Sequence, residues 1–129
     1  MTDDAKDVLK ITLYPIFLGN NCTSRRLASH LFYRAKVSSL ICDIKRNLLD
    51  FFSVSYRFCP LYKSLDDKLL AEQLLSIAKK NSDLTLLLIP TNKEYSSAVD
   101  RLTPILESQF IITDTENLLI CPPIADILA

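Results

Sequence analysis

Two strand-to-helix junctions constrain the fold of this chain most. Ile11 to Ser24 (ITLYPIFLGNNCTS) and Leu84 to Tyr95 (LTLLLIPTNKEY) each pass from an apolar run of strand length straight into polar, helix-starting residues. Strands that feed helices in this way build parallel α/β sheets, which bind ligands outside the carboxyl ends of their strands, where the strand order reverses. The two junctions are expected to flank that reversal and to frame one crevice.

At 129 residues the chain has the size of one core. A single domain over 1–129 is expected, with its core at about 9–114 and a tail, or the start of a linker to a missing domain, over 115–129. The 49% apolar and 23% charged composition is that of a globular protein and excludes a disordered one. Fifteen basic and fifteen acidic residues cancel, so no global field draws the chain to nucleic acid or to an anionic membrane, and neither is expected as a partner. The acidic start MTDDAKD lacks the basic flank of a secretory signal, and no apolar run approaches the ~20 residues that span a bilayer. A cytoplasmic location is expected.

Leu9 to Leu18 reads as a buried strand, and the NNCTS cluster caps a helix from about Thr23 to Lys36 whose inner stripe is Leu27, Ala28, Leu31, Phe32 and Ala35. A strand follows over Val37 to Ile44, then a short helix over Asn47 to Phe52 and a strand near Ser55 to Leu61 that Pro60 terminates. Ser64 and Asp67 form a capping box for a helix with Leu70, Leu74, Ile77 and Ala78 on one face, stopped by Asn81 to Asp83. Leu84 to Ile89 is almost wholly apolar, as a central parallel strand covered on both faces must be. Thr91 and Glu94 make an S/T-x-x-E capping box for a helix lined by Tyr95, Ala98, Val99, Leu102 and Leu106, with a kink or break near Leu102 forced by Pro104. The last strand is Gln109 to Thr113. Asp114 and Thr115 are placed to cap a further helix, interrupted by Pro122 and Pro123 before the apolar IADILA, which either covers the sheet or leads into another domain. This alternation predicts a three-layer α/β sandwich on a mainly parallel sheet of about five strands with right-handed crossovers.

Cys22, Cys42, Cys59 and Cys121 are widely spaced, without a C-x-x-C pair or neighbouring histidines, so reduced thiols and no metal site are expected. Cys42 and Cys59 sit in strand-like stretches and read as small hydrophobes, whereas Cys22 starts a helix, where thiolate character rises. His30, the one histidine, falls beside the apolar stripe of its helix and reads as a surface residue. Asp66, Asp67 and Glu72 favour a helix dipole and show no ligand pattern. Tyr56, Phe58 and Tyr62 with Arg57 and Lys63 would suit a base-stacking platform, but strand alternation divides them between two faces.

Two helix starts at the expected crevice offer free amides and positive dipole ends to a carboxylate or phosphate. Gly19, Asn20, Asn21, Thr23, Ser24, Thr91 and Asn92 would line it, beside Glu94 and Tyr95 in the second junction; Arg25 or Arg26 would add charge-assisted contacts. The same Asn, Thr and Ser residues are also ordinary helix caps that need no ligand. Asp43 ends its strand where a dinucleotide-binding domain places a ribose acceptor, yet the single glycine of the chain excludes a G-x-G-x-x-G loop and disfavours NAD. No catalytic constellation is legible.

The order LGNNCTSRRLASHLF, VSSLICDIKR, SYRFCPL, LTLLLIPTNKEY and ESQFIITD, covering about Leu9 to Asp114, resembles the N-terminal pre-ATP-grasp domain of carboxylate–amine ligases, in particular the carbamoyl-phosphate-synthase-like and D-aspartate-ligase-like members. The resemblance implies a small Rossmann-like domain that precedes a central and an ATP-grasp domain, the latter binding ATP and magnesium and activating a carboxylate as an acyl phosphate for attack by an amine. It implies no cofactor bound by this domain alone, no catalysis by the isolated chain, and an ATP-grasp partner in cis or on a separate chain. Leu18 before Gly19 and Lys93 before Glu94 depart from the family's usual second glycine and acidic residue. The alternative is a stand-alone interaction or regulatory α/β module, as a homodimer. A ligase domain should show an exposed apolar docking face and feeble ligand binding alone; the module should show a buried tail and a sizeable self-interface.

Overall fold

The computed structural model describes residues 13–61 and 66–115. Its elements are β1 (Leu13–Leu18), α1 (Cys22–Ala35), β2 (Ser39–Asp43), a 3₁₀ turn (Leu48–Phe51), β3 (Tyr56–Pro60), α2 (Asp67–Lys80), β4 (Thr85–Pro90), α3 (Lys93–Leu106) and β5 (Ile111–Ile112). Every strand pairing is parallel and the order is β3-β2-β1-β4-β5. The chain therefore builds outward from β1 through β2 to β3, then returns to β1's other side with β4. The reversal lies between β1 and β4, the two strands that end in the junctions singled out from the sequence.

Strand alternation sorts the core into two faces. Phe17, Ile41, Leu87 and Ile89 meet Leu27, Ala28, Leu31 and Ala35 of α1. On the opposite face Ile16, Leu18, Leu40, Cys42, Leu86 and Leu88 meet Leu70, Leu74, Ile77 and Ala78 of α2 and Tyr95, Ala98, Val99, Leu102 and Leu106 of α3. Three layers result, with β4 buried from Leu86 to Pro90 as its apolar run requires. Arg101 Nε and Nη2 clasp Asp67 at 2.7 and 3.0 Å and tie α3 to the start of α2. Among the described residues no helix is long and apolar enough to cross a membrane.

Several boundaries differ from expectation for local reasons. Asn21 caps α1, its side chain accepting from Ser24 N–H while Ser24 Oγ accepts from Asn21 N–H; Lys36 ends the helix in the left-handed region at φ 57°. Phe32, expected on the buried stripe, is half-buried and stacks edge-to-face on Tyr33. The helix expected over Asn47 to Phe52 is a 3₁₀ turn capped by Asn47. Asp66 caps α2, accepting from Lys68 N–H; the Ser64 half of the expected box lies outside the described residues. The break expected at Leu102 does not occur, because Pro104 lies in the last turn of α3 on its exposed side, and Thr103 Oγ1 donates to Val99 O at 2.9 Å. The expected last strand shortens to Ile111–Ile112, although Thr113 N–H still donates to Leu88 O at 3.0 Å. Residues 9–12, Tyr62, Lys63 and the tail beyond Thr115 lie outside the described residues.

Candidate functional site

Gly19 leaves β1 at φ +114°, a conformation that L side chains rarely adopt. The space matters as much as the angle. A Cβ at this position would lie 2.3 Å from Thr91 Oγ1, 3.2 Å from Asn92 Nδ2 and 3.3 Å from Asn21 Nδ2. The single glycine of the chain thus lets three polar side chains from the two junctions close over the end of β1.

Thr91 works differently from its expected role. It does not cap α3; Asn92 does, its Oδ1 accepting from Tyr95 N–H at 2.9 Å. Thr91 instead stitches the reversal point: its N–H and its Oγ1 both donate to Leu18 O, at 2.9 and 2.8 Å, and Oγ1 accepts from Asn21 Nδ2 at 2.8 Å. The hydroxyl lies one residue too early for a cap, so it is free to bond the neighbouring strand. Glu94, the other half of the expected box, is exposed in the first turn, where its charge favours the dipole.

Asp43, at the end of β2, is the second anchor. Its Oδ2 accepts from Asn20 N–H at 2.7 Å, and its Oδ1 from Ile44 N–H at 2.7 Å and from the Tyr95 hydroxyl at 2.8 Å. Burial, and then the Asp43 carboxylate that needs its proton, hold the Tyr95 phenol well above the ordinary tyrosine range. Asp43 thereby ties the β1–α1 loop to the first turn of α3, a structural use of the position first read as a ribose acceptor.

The Asn20 side chain begins a second chain of contacts. Its Nδ2 donates to Asp50 Oδ2 at 2.7 Å and its Oδ1 accepts from Arg25 Nη1 at 2.7 Å. Asp50 also accepts from Asn47 N–H at 2.6 Å and from the Tyr56 hydroxyl. Burial first, and the Asp50 carboxylate second, push the Tyr56 phenol up to about 12. Asp50 was not singled out from the sequence, and Tyr56 was weighed there only as part of a base-stacking platform. The readable signal for Asp50 was the Asn47–Asp50 spacing, which is that of a capping pair.

Of the expected residues, Gly19, Asn20, Asn21, Arg25, Asp43, Thr91, Asn92 and Tyr95 converge at this end of the sheet. Ser24 is buried and spent on capping, its Oγ donating to Asn21 O. Thr23, Arg26 and Glu94 are exposed on the first turns of α1 and α3. Cys22 is exposed at the start of α1, with Arg25 Nη2 at 3.8 Å from its sulfur, and His30 is exposed as expected. No group of three or more His, Cys, Asp or Glu side chains is placed to hold a metal ion among the described residues. One arginine and two carboxylates share the network through Asn20, whose Oδ1 accepts from Arg25 while its N–H and Nδ2 donate to Asp43 and Asp50.

Asp50 also pins an apolar surface beside the crevice. The 3₁₀ turn in which it sits, capped by Asn47, turns Leu48, Leu49, Phe51 and Phe52 outward, followed by Val54; Leu48 is 73% and Phe52 78% exposed. Arg46 lies over the Phe51 and Phe58 rings at 4.7 and 5.1 Å from their centroids, and Phe58 is the register partner of Ile41. This surface therefore lies on the α1 side of the sheet, at its β3 edge. Contiguous exposed apolar residues of this kind mark interaction sites in soluble domains. No protein-family model, curated protein or solved structure matches the chain in sequence or fold comparison.

Proposed function

We propose that this chain is the N-terminal substrate-cleft or scaffold domain of an ATP-grasp carboxylate–amine ligase, inactive alone. It works docked against an ATP-grasp domain, in cis or on a separate chain, that holds ATP and magnesium. The observation that carries this reading is the exposed apolar surface of Leu48, Leu49, Phe51, Phe52 and Val54 beside a crevice whose own polar groups are engaged with one another. A domain that closes one wall of a shared cleft needs such a face. The resemblance of the five segments to pre-ATP-grasp domains supplies the partner's identity, and the parallel sheet reversing at β1 and β4 is compatible with it.

The test has two parts. The isolated chain is expected to give no saturable thermal shift with ATP and magnesium, amino acids or simple carboxylates. A saturable shift abolished in Asn20→Ala or Thr91→Ala would make the crevice a working site by itself and overturn the scaffold role. Co-expressed with the ATP-grasp domain encoded with it, the chain is expected to be required for ATP-dependent acyl phosphate formation, trapped by hydroxylamine as a hydroxamate. Equal hydroxamate formation without the chain would overturn the ligase assignment. A stand-alone dimeric module would use the same apolar surface, and would show concentration-dependent pairing in sedimentation equilibrium that Phe52→Ser abolishes.

A further inference from the structure

β2 and β3 set Cys42 directly opposite Cys59 in the parallel ladder. Register partners on neighbouring strands project to the same face, and both cysteines belong to the face covered by α2 and α3. Cys42 is completely buried there. Cys59 packs against the same core but stays half-exposed, because β3 is the edge strand. Each thiol shifts the other's ionisation, and the Cys59 sulfur lies 4.0 Å from Pro60 O. We propose that Cys42 and Cys59 form a reversible dithiol–disulfide site that reacts with small disulfides of the glutathione class, with Cys59 as the attacking thiol and Cys42 as the resolving one. This modification site is independent of the ligase reading.

The chemistry follows from which sulfur keeps the proton. Donation from Cys42 to the ionised sulfur brings the Cys59 thiol down to about 7, against the opposing effect of burial and with help from the charge of Lys80 at the end of α2. Cys42 moves the opposite way: that same donation, then burial, then the negative charges of Cys59 and Asp43 hold its thiol well above the ordinary range. Tyr14 of β1, itself raised by burial, stays neutral beside the pair. The reachable sulfur is thus the one that yields the thiolate, the nucleophilic form, near neutral pH.

Attack by the Cys59 thiolate on one sulfur of glutathione disulfide breaks that S–S bond, and one glutathione leaves as a thiolate that takes up a proton. Cys59, now in a mixed disulfide, carries no charge and no longer accepts from Cys42, which removes two of the causes that kept Cys42 protonated. Cys42 then attacks the Cys59 sulfur, and its proton passes to the departing thiolate, so the second glutathione leaves as a thiol. Two protein thiols are oxidised and one glutathione disulfide is reduced to two thiols.

Geometry makes this bond reachable but easily reversed. Neighbouring strands lie about 4.8 Å apart, inside the usual Cα separation of about 4.4–6.8 Å for a disulfide. A relaxed bridge brings the Cβ atoms to about 3.8 Å, so closure draws β3 inward, and strained bridges of this kind are readily reduced. Asp43 and Pro60, the next register pair, move with it. Asp43 anchors Asn20 and Tyr95, so oxidation of the pair reports directly at the crevice.

The experiment uses the full chain carrying Cys22→Ser and Cys121→Ser, treated with glutathione disulfide at neutral pH, acid-quenched and analysed by intact mass and peptide mapping. The expected product has lost two hydrogens and contains one Cys42–Cys59 bridge, fully reversed by dithiothreitol. With Cys42→Ala in addition, the reaction should stop as a mixed disulfide on Cys59. A stable mixed disulfide on Cys59 while Cys42 is present would overturn the proposal. So would an unreacted Cys59 under conditions that glutathionylate the exposed Cys22 of the unmodified protein.

Discussion

On one face of the sheet α2 and α3 lie side by side, and Leu74, Leu88 and Leu106 between them reach no solvent at all. On the other face α1 covers Phe17, Ile41 and Ile89 by itself, and the β2–β3 connection passes through a 3₁₀ turn that leaves Leu48, Leu49, Phe51 and Phe52 in water. The first face is held by apolar burial. The turn on the second is held by polar contacts, Asp50 to Asn20, Asn47 and Tyr56, while its apolar side chains contribute little to the folded chain. The contrast teaches that apolar residues in one small chain can be divided between a cohesive core and a surface that adds little to folding.

Truncation on the two-helix face should produce the largest effect. Leu74→Ala, at a site with no exposure, is expected to cost about 2–5 kcal/mol in urea unfolding. A loss below 1 kcal/mol would erase the distinction between the faces. Gly19→Ala, where the two junctions meet, should cost about 1–3 kcal/mol from its positive φ alone, with the clash on Thr91 Oγ1 in addition. The clash sharpens the test: combining Gly19→Ala with Thr91→Ala should cost less than the sum of the single changes, and strict additivity would show that the two residues do not meet.

Tyr56→Phe addresses the polar fastening of the one-helix face and should cost about 1.5 kcal/mol, the range for a hydrogen bond to a charged group. Its pH dependence has a definite sign. The folded pKa of Tyr56, about 12, lies above the unfolded value near 10, so its contribution is complete below pH 10 and is lost as pH rises toward 12. Tyr95 acts in the same direction. The urea midpoint of the parent chain should therefore fall above pH 10, and Tyr56→Phe should flatten that fall; an unchanged slope would remove Asp50 from the account. The smallest effect on stability belongs to the exposed apolar residues. Leu48→Ser with Phe52→Ser should move unfolding by no more than about 0.5 kcal/mol per site while reducing the binding of an apolar dye, and a large destabilisation would place these side chains in the core.

Much of this architecture was legible. Alternating apolar runs and capped helices identified β1, β4 and the three long helices, because the periodicities of 2 and 3.6 are local properties of the chain. Less of the site was legible. Thr91 carried a capping-box signature with Glu94, and only the adjacency of β1 redirected its hydroxyl to Leu18 O. Asp50 and Tyr56 lay in a stretch read as helix and strand, and nothing local indicates that Asp50 takes both the Tyr56 hydroxyl and the side chain of Asn20, thirty residues away. Cys42 and Cys59 looked like separate small hydrophobes until the β2–β3 register set them opposite each other.

By itself, then, the sequence determined the element types, the α/β class and the two junctions that flank the reversal, since each depends on residues close together along the chain. The tertiary structure decided which polar groups are spent on one another, which cysteine faces which, and which apolar residues are left outside. Those outcomes depend on strand order and register, and a single-residue slip would send every side chain of a strand to the opposite face.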